Sequence, residues 1–214
     1  MTYSPSADTA ERRRPELPGM FTEYRDDIGI ALREALRGGD SVYDLLRYYM
    51  GWVDPEGNAA SGTEGKYLRP TLCLFACEAV GGGRDKAMPA AAALELIHNF
   101  SLIHDDIQDG DETRHHRKTL WAIWGIPKAL VAGNVLRIVA DSTLDDLQSV
   151  GVPPSRVLPA VNQLTQAYLE MIEGQYLDIS FEGQNEVGLQ QYLDMIARKD
   201  GGSHTMLVHD GARS

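Results

Sequence analysis

The residues most suited to chemistry lie between positions 95 and 112, where His98, Asp105, Asp106 and Asp109 accompany an apolar run. On a helix that turns about 100° per residue, Asp109 lies about 40° and Asp106 about 100° from Asp105, so the three carboxylates share one arc. Like charges this close repel each other, and more strongly where water is excluded. The spacing therefore predicts a bound cation. Ligands that are all oxygen favour magnesium, which completes its shell with water and phosphate oxygens.

The alternative interpretation of these carboxylates is an acidic helix end in solvent, because Gly110 is suited to end the helix. The run of residues 94–103 before them is strongly apolar, which favours a buried helix whose end opens into a cavity. His98 lies about 20° from Asp105 on the same wheel, two turns earlier. We therefore expect His98 to share the stripe of the aspartates.

Two basic groups could complement a diphosphate bound to a metal at these aspartates. Lys66 and Arg69, spaced i,i+3, stand where a Gly-rich and Ser-rich loop meets a helix. Residues 114–118 (Arg-His-His-Arg-Lys) follow the acidic cluster directly. Each group alone is ordinary for a protein surface. Together with the aspartates and long apolar helices, they indicate a substrate with a diphosphate head and a hydrocarbon tail.

The elements that must position these residues are helices, since apolar residues recur at helical spacing and no alternating strand pattern is found. The fold class predicted is therefore all-α. Helices are predicted over residues 20–36, from Ser41, and over 66–80, 89–108, 127–147, 154–181 and 189–198. We expect a flexible leader over 1–17, a helical domain over 18–199 and an irregular tail over 200–214, where glycines interrupt the pattern.

Composition limits the class of protein. The 214 residues are 43% hydrophobic, enough for a packed core, and the net charge of -11 argues against nucleic acid as a partner. Cys73 and Cys77 lie four residues apart in an apolar run and read as small buried residues, which fits a reducing cytoplasm. No run approaches the roughly 18 apolar residues that a transmembrane segment needs.

In this order, the motifs resemble those of the trans-isoprenyl diphosphate synthases, the polyprenyl synthetase family. Residues 65–70 (Gly-Lys-Tyr-Leu-Arg-Pro) resemble its basic motif, and residues 104–109 (His-Asp-Asp-Ile-Gln-Asp) resemble its first aspartate-rich motif. Residues 174–178 (Gly-Gln-Tyr-Leu-Asp) and 192–199 resemble two of its later helices. The similarity runs from about residue 20 to Lys199 and is greatest to short- and medium-chain enzymes, the farnesyl and geranylgeranyl diphosphate synthases.

The resemblance implies an isoprenoid synthase-type helical bundle, a homodimer, and Mg²⁺-dependent condensation of isopentenyl diphosphate with an allylic diphosphate. A bulky Phe100 five residues before Asp105 suggests a C15–C20 product. The implied site residues are Lys66, Arg69 and His98 for isopentenyl diphosphate, Asp105 and Asp109 for magnesium with Asp106 in support, Arg114 and Lys199 for the allylic diphosphate, and Gln175 facing the cavity between helices. His115 would be a weaker, pH-dependent phosphate partner.

The chain also departs from the family pattern. His115 and His116 replace the usual Arg-Gly, and Lys118 replaces a proline. The family's second aspartate-rich motif, which lies well beyond Lys199, is not found. The fold is therefore expected to be incomplete at the C-terminus, with apolar faces of helices such as 154–181 left uncovered. We expect this chain alone to have little or no condensation activity.

Three other functions stay open. A class I terpene cyclase shares the all-α fold and the aspartate motif, but it has no use for Lys66, Arg69 and His98 because it needs no isopentenyl diphosphate. A non-catalytic subunit or binding homologue is the second, favoured by the missing motif. A metal-binding four-helix carboxylate protein is the third. It needs two Glu-x-x-His pairs, and Glu95-Leu-Ile-His98 supplies one.

Overall fold

A computed structural model describes residues 19–60, 65–184 and 186–209, with the side chains of residues 20, 21 and 200–209 left out. The helices are α1 (Met20–Glu23), α2 (Arg25–Ala35), α3 (Ser41–Tyr49), α4 (Leu68–Ala79), α5 (Arg84–Gln108), α6 (Leu120–Trp124), α7 (Ile126–Ser149), α8 (Pro154–Phe181) and α9 (Leu189–His209). Strands β1 (Thr113–Arg114) and β2 (Arg117–Lys118) form an antiparallel ribbon. The all-α prediction is confirmed for the described residues, with this short ribbon as an addition. The leader over 1–17 lies outside them.

Helix α5 is the centre of the bundle and packs against α2, α4 and α7. Small side chains allow these approaches, since Ala91, Ala92 and Ala93 have no exposed surface. On α7, a Cβ at Gly133 would lie 2.7 Å from Nε2 of His104. Because α5 is buried on most of its circumference, its C-terminal turn is held firmly where the aspartates begin.

Helix α5 begins at Arg84, five residues before the predicted start at Pro89. The Arg84 guanidinium bonds to Glu23 at 2.7 Å, to Asp27 at 3.2 Å and to Glu78 at 3.1 Å. These contacts fix the first turn of α5 against α1, α2 and α4. They compensate for the backbone hydrogen bond that Pro89 removes in the second turn.

Helices α8 and α9 pack side by side through Gly174. A Cβ on Gly174 would lie 2.8 Å from Cα of Lys199, closer than real Cβ contacts come. The absence of a side chain at Gly174 therefore lets α9 approach α8 and brings Lys199 alongside it.

The prediction of an irregular tail from residue 200 is wrong for residues 200–209, because α9 continues to His209. Residues 210–214 lie outside the described part. Gly201 and Gly202 disfavour a helix by about 1 kcal/mol each relative to alanine. Packing along α8 supports most of α9, and helical stability in proteins comes chiefly from such packing.

Several apolar side chains of α7 and α8 face solvent. Ile138 on α7 is 66% exposed, and on α8 the values are 63% for Leu158 and 70% for Tyr176. This confirms the expectation that 154–181 carries an uncovered apolar face. None of the helices in the described part combines the length and the apolar character needed to cross a bilayer.

Candidate active site

A cavity of about 410 Å³ lies between the end of α3, the start of α4, the middle of α5 and the β1–β2 ribbon. We call it the basic cavity because five cationic residues line it: Lys66, Arg69, Arg114, Arg117 and Lys118. Among the residues that the structure describes, His98, His115 and a single acid, Glu95, line it too. In a chain of net charge -11, this concentration of positive charge favours a multiply charged anion.

The structure brings together five of the predicted binding residues in this cavity, namely Lys66, Arg69, His98, Arg114 and His115. Lys66 and Arg69 flank the start of α4, where Tyr67 adopts a left-handed conformation (φ 49°) and is buried. This conformation is unusual for a residue other than glycine. It sets the direction in which the loop enters α4 and hence the positions of both cations.

His98 is uncharged at neutral pH, because burial and then the charges of Arg69 and Arg114 lower its pKa to about 4. A neutral imidazole can still donate one hydrogen bond to an anion. Glu95 lies beside His98. The side-chain amide of Asn99 donates to the backbone carbonyl of Glu95 at 2.7 Å and to its Oε1 at 3.2 Å. Burial raises the pKa of Glu95, although the Asn99 bond and the charge of Arg69 oppose the rise.

The ribbon places two arginines opposite each other. Arg114 pairs with Arg117 in the antiparallel register, so both side chains leave the same face. The two turn residues between them, His115 (φ 49°) and His116 (φ 65°), are both left-handed, as a type I′ turn requires. Histidine in this conformation costs on the order of 1–3 kcal/mol, a strain that proteins tend to keep at functional sites.

Asp106 differs from the other two aspartates in being buried. It is 1% exposed, and Nε of Arg114 donates to its Oδ1 at 2.6 Å. Burial raises the pKa of Asp106, against the bond from Arg114. The hydroxyl of Tyr49 is also buried, and this burial raises the pKa of Tyr49. The nearby charge of Asp106 raises the Tyr49 pKa further. Asp106 therefore orients Arg114, which fits a supporting role.

Asp105 and Asp109 lie at the C-terminal end of α5, beside Lys199 of α9. Burial raises the pKa of Asp105 to about 6; Asp109 adds to the rise and Lys199 opposes it. The Lys199 ammonium forms an ion pair with Asp178 on α8. Burial disfavours the charged form of Lys199, but Asp178, Asp105 and Asp109 together raise the pKa of Lys199. A partly buried carboxylate of this kind is stabilised by a further positive charge.

Asp105 and Asp109 suit magnesium, which takes many of its ligands from water and substrate, better than they suit a metal whose ligands all come from the protein. Among the side chains that the structure describes, no group of three or more His, Cys, Asp and Glu could hold a metal ion. Asp105 and Asp109 would supply two oxygens, and magnesium characteristically takes its other ligands from water and substrate phosphate. The donor set therefore fits a magnesium ion shared with a diphosphate.

Other predicted residues lie at the edge of this arrangement. Nε2 of Gln175 donates to Oε1 of Gln108 at 2.9 Å, which links α8 to the last turn of α5. Gln175 is thus beside the aspartates and not in the lining of the basic cavity. Phe100 is buried against the rings of His104 (4.5 Å) and Tyr168 (5.6 Å).

Sequence reasoning missed two residues with clear contacts. Asp178 was quoted only as part of a motif, yet it pairs with Lys199. Tyr49 belongs to none of the motifs, yet its hydroxyl lies near Asp106. Asp178 follows Gly174 by four residues, one turn along the face that α9 approaches, and this spacing could have suggested its position. Nothing in the local pattern points to Tyr49.

The fold and the site together define a helical protein with a cation-rich cavity beside a group of aspartates. The pattern of the polyprenyl synthetase family matches residues 52–212, and the chain belongs to that family. It is 37% identical over 196 residues to the (2E,6E)-farnesyl diphosphate synthase of Mycobacterium tuberculosis, covering 91% of this chain and 52% of that one. It is 37% identical over 181 residues to the geranylgeranyl diphosphate synthase of the same organism, covering 84% and 51%.

The structural comparison agrees with the sequence comparison. The crystal structure of a polyprenyl synthetase from Streptomyces coelicolor superimposes with a TM-score of 0.84 at 34% identity, covering 92% of this chain and 57% of that one. The chain thus spans about half the length of the curated relatives it matches.

Proposed function

We propose that this chain forms the diphosphate-binding part of a prenyltransferase that condenses isopentenyl diphosphate with an allylic diphosphate. The observation that carries the proposal is the meeting of a basic cavity with the aspartates of α5, joined by the Arg114–Asp106 bond. The cavity suits the diphosphate of isopentenyl diphosphate, through Lys66, Arg69 and His98. The α5 aspartates suit the metal-bound diphosphate of the allylic substrate.

Different residues would act on different parts of the reaction. Condensation breaks the allylic carbon–oxygen bond, forms a carbon–carbon bond and releases diphosphate and a proton. Magnesium held by Asp105 and Asp109 would supply positive charge to the departing diphosphate. Lys199 stands beside both aspartates and adds a further charge. Arg114, held by Asp106, lies between the basic cavity and the aspartates and would bind the allylic diphosphate.

The product proposed is of farnesyl to geranylgeranyl length, since the relatives named above make those products. Phe100 supports this assignment because it is a bulky, buried side chain five residues before Asp105 on α5. Its contacts with His104 and Tyr168 hold the ring in place.

We also propose that the protein acts as a homodimer in the cytoplasm. A second copy would cover apolar side chains that α7 and α8 expose, such as Ile138 and Tyr176. The free thiols of Cys73 and Cys77 suit a reducing compartment.

A non-catalytic binding subunit is the second candidate, because the basic cavity can bind a diphosphate whether or not condensation follows. A cyclase is disfavoured because the basic cavity would have no ligand in its reaction. Two measurements on the wild-type chain separate these functions: calorimetric binding of isopentenyl diphosphate, and conversion of labelled isopentenyl diphosphate with an allylic primer and Mg²⁺.

Turnover that needs both substrates and is lost in Asp105→Asn supports the prenyltransferase. Binding without turnover supports a binding role and agrees with the expectation that this chain alone has little or no condensation activity. Conversion of an allylic diphosphate alone, with no incorporation of label, would contradict both and favour a cyclase.

A further inference from the structure

Arg117 is a cationic residue of the basic cavity that belongs to none of the predicted binding residues. It is half-buried, lines the cavity and stands directly across the ribbon from Arg114. Two guanidinium groups at one cross-strand position repel each other. The chain maintains this repulsion next to a turn that holds two histidines in the left-handed region.

The two arginines differ in what neutralises them. Arg114 is paired with the buried carboxylate of Asp106. Among the residues that the structure describes, no carboxylate lies within ion-pairing distance of Arg117. Its neighbours are an aromatic face and a carbonyl: the guanidinium stacks 4.2 Å above the ring of Tyr48, and Nη2 donates to the Val53 carbonyl at 3.0 Å.

These neighbours hold Arg117 without cancelling its charge. The Tyr48 ring is itself fixed, because its hydroxyl donates to the Lys118 carbonyl at 2.8 Å and its edge meets Trp124 at 5.1 Å. A guanidinium that is stacked and anchored loses little freedom when it binds an anion. The ribbon thus presents one fixed cation whose charge is uncompensated.

We propose that Arg117 is a diphosphate-binding residue of the basic cavity and contacts phosphate oxygens from the ribbon side, opposite Lys66 and Arg69. The inference rests on the proposed function and extends it to a position that the family motifs do not assign. The ligand class is an organic diphosphate or inorganic pyrophosphate, because a group with several anionic oxygens can bridge cations on two walls of one cavity.

The test compares Arg117→Gln with wild type by calorimetric titration of isopentenyl diphosphate and, separately, of inorganic pyrophosphate. We expect the Kd for each to rise about tenfold, the usual size for one charge-assisted contact. Arg117→Lys should keep most of the affinity. The matched control is Arg33→Gln, which removes another guanidinium stacked on an aromatic ring (Trp52, 4.5 Å). Neither Arg33 nor Trp52 lines the cavity, so this variant should leave both Kd values unchanged.

Each outcome decides the inference. Wild-type Kd values in Arg117→Gln, with weakened binding in Lys66→Gln, would overturn it. If Arg117→Gln fails to fold, Arg117→Met keeps the apolar stem over Tyr48 and removes the charge, and the same tenfold loss is required. If wild type binds pyrophosphate through Arg117 but shows no binding of isopentenyl diphosphate, the role of Arg117 stands and the prenyltransferase proposal fails. If wild type binds neither ligand, both fail.

Discussion

Nε of Arg114 donates to Oδ1 of Asp106 at 2.6 Å, and this single bond joins the basic ribbon to the acidic end of α5. The bond explains why the middle aspartate of the motif is buried while its neighbours stay accessible to a metal ion. It also links the cavity to the helix that carries Asp105, a proposed magnesium ligand.

Replacing Asp106 should affect stability according to what replaces it. Asp106→Ala leaves Arg114 unpaired and should lower the free energy of unfolding by about 2–3 kcal/mol. Asp106→Asn should cost clearly less, because it keeps an acceptor and removes a charge that burial disfavours. Urea unfolding measures both. Asp44→Ala breaks an exposed pair with Arg47 and should cost under about 1 kcal/mol. Equal losses for the two alanine variants would contradict this account.

Gly174→Ala should separate α9 from α8. The new Cβ would meet the backbone of Lys199, which cannot move aside as a side-chain tip can, so we expect a loss of about 1–3 kcal/mol in unfolding free energy. Gly29→Ala is the matched control, since nothing lies within 4 Å of a Cβ there and α2 should gain up to about 1 kcal/mol. A stable Gly174→Ala protein with unaltered Mg²⁺ affinity would show that the close approach is unimportant.

His98 predicts a pH-dependent stability. Its pKa is about 4 in the folded chain and about 6.5 in the unfolded chain, so the unfolded state binds more protons between these values. The contribution of His98 is present above pH 6.5 and is lost as the pH falls towards 4. The difference in unfolding free energy between wild type and His98→Gln should therefore shrink over this window. A difference independent of pH would mean that His98 is not buried as described.

Asp105 predicts pH-dependent metal binding. Magnesium needs the carboxylate, and the pKa of Asp105 is about 6, so Mg²⁺ affinity should fall as the pH drops through 6. Binding near pH 6 should also release protons, which calorimetry in two buffers of different ionisation enthalpy detects. Asp105→Asn should abolish the proton release. Affinity that is constant between pH 5 and 8 would argue against Asp105 as a ligand.

The sequence predicts the helices well where local signals decide their ends. Helix α8 runs over 154–181 as predicted, with proline at its first turn and an apolar repeat along its length. The start of α5 was predicted too late because Arg84 is held by residues of three other helices. Tertiary contacts of this kind leave no periodic trace in the sequence.

The site, like the helices, could be predicted where local spacing decides it and not where tertiary contacts do. Spacing on one helix places Asp105 and Asp109 together, and the basic motif gives Lys66 and Arg69. The burial of Asp106 depends on a turn with two left-handed histidines, residue types that do not signal such a turn as glycine or asparagine does. The position of Arg117 opposite Arg114 depends on the same turn and could not be predicted.

The central claim is that the basic cavity binds the diphosphate of isopentenyl diphosphate. Calorimetric titration of the wild-type chain with this ligand tests it most directly, with Arg69→Gln and the Arg33→Gln control measured under the same conditions. The account predicts saturable binding, a Kd at least about tenfold higher in Arg69→Gln, and no change in the control. Absence of binding by wild type, or equal Kd values for wild type and Arg69→Gln, would contradict it.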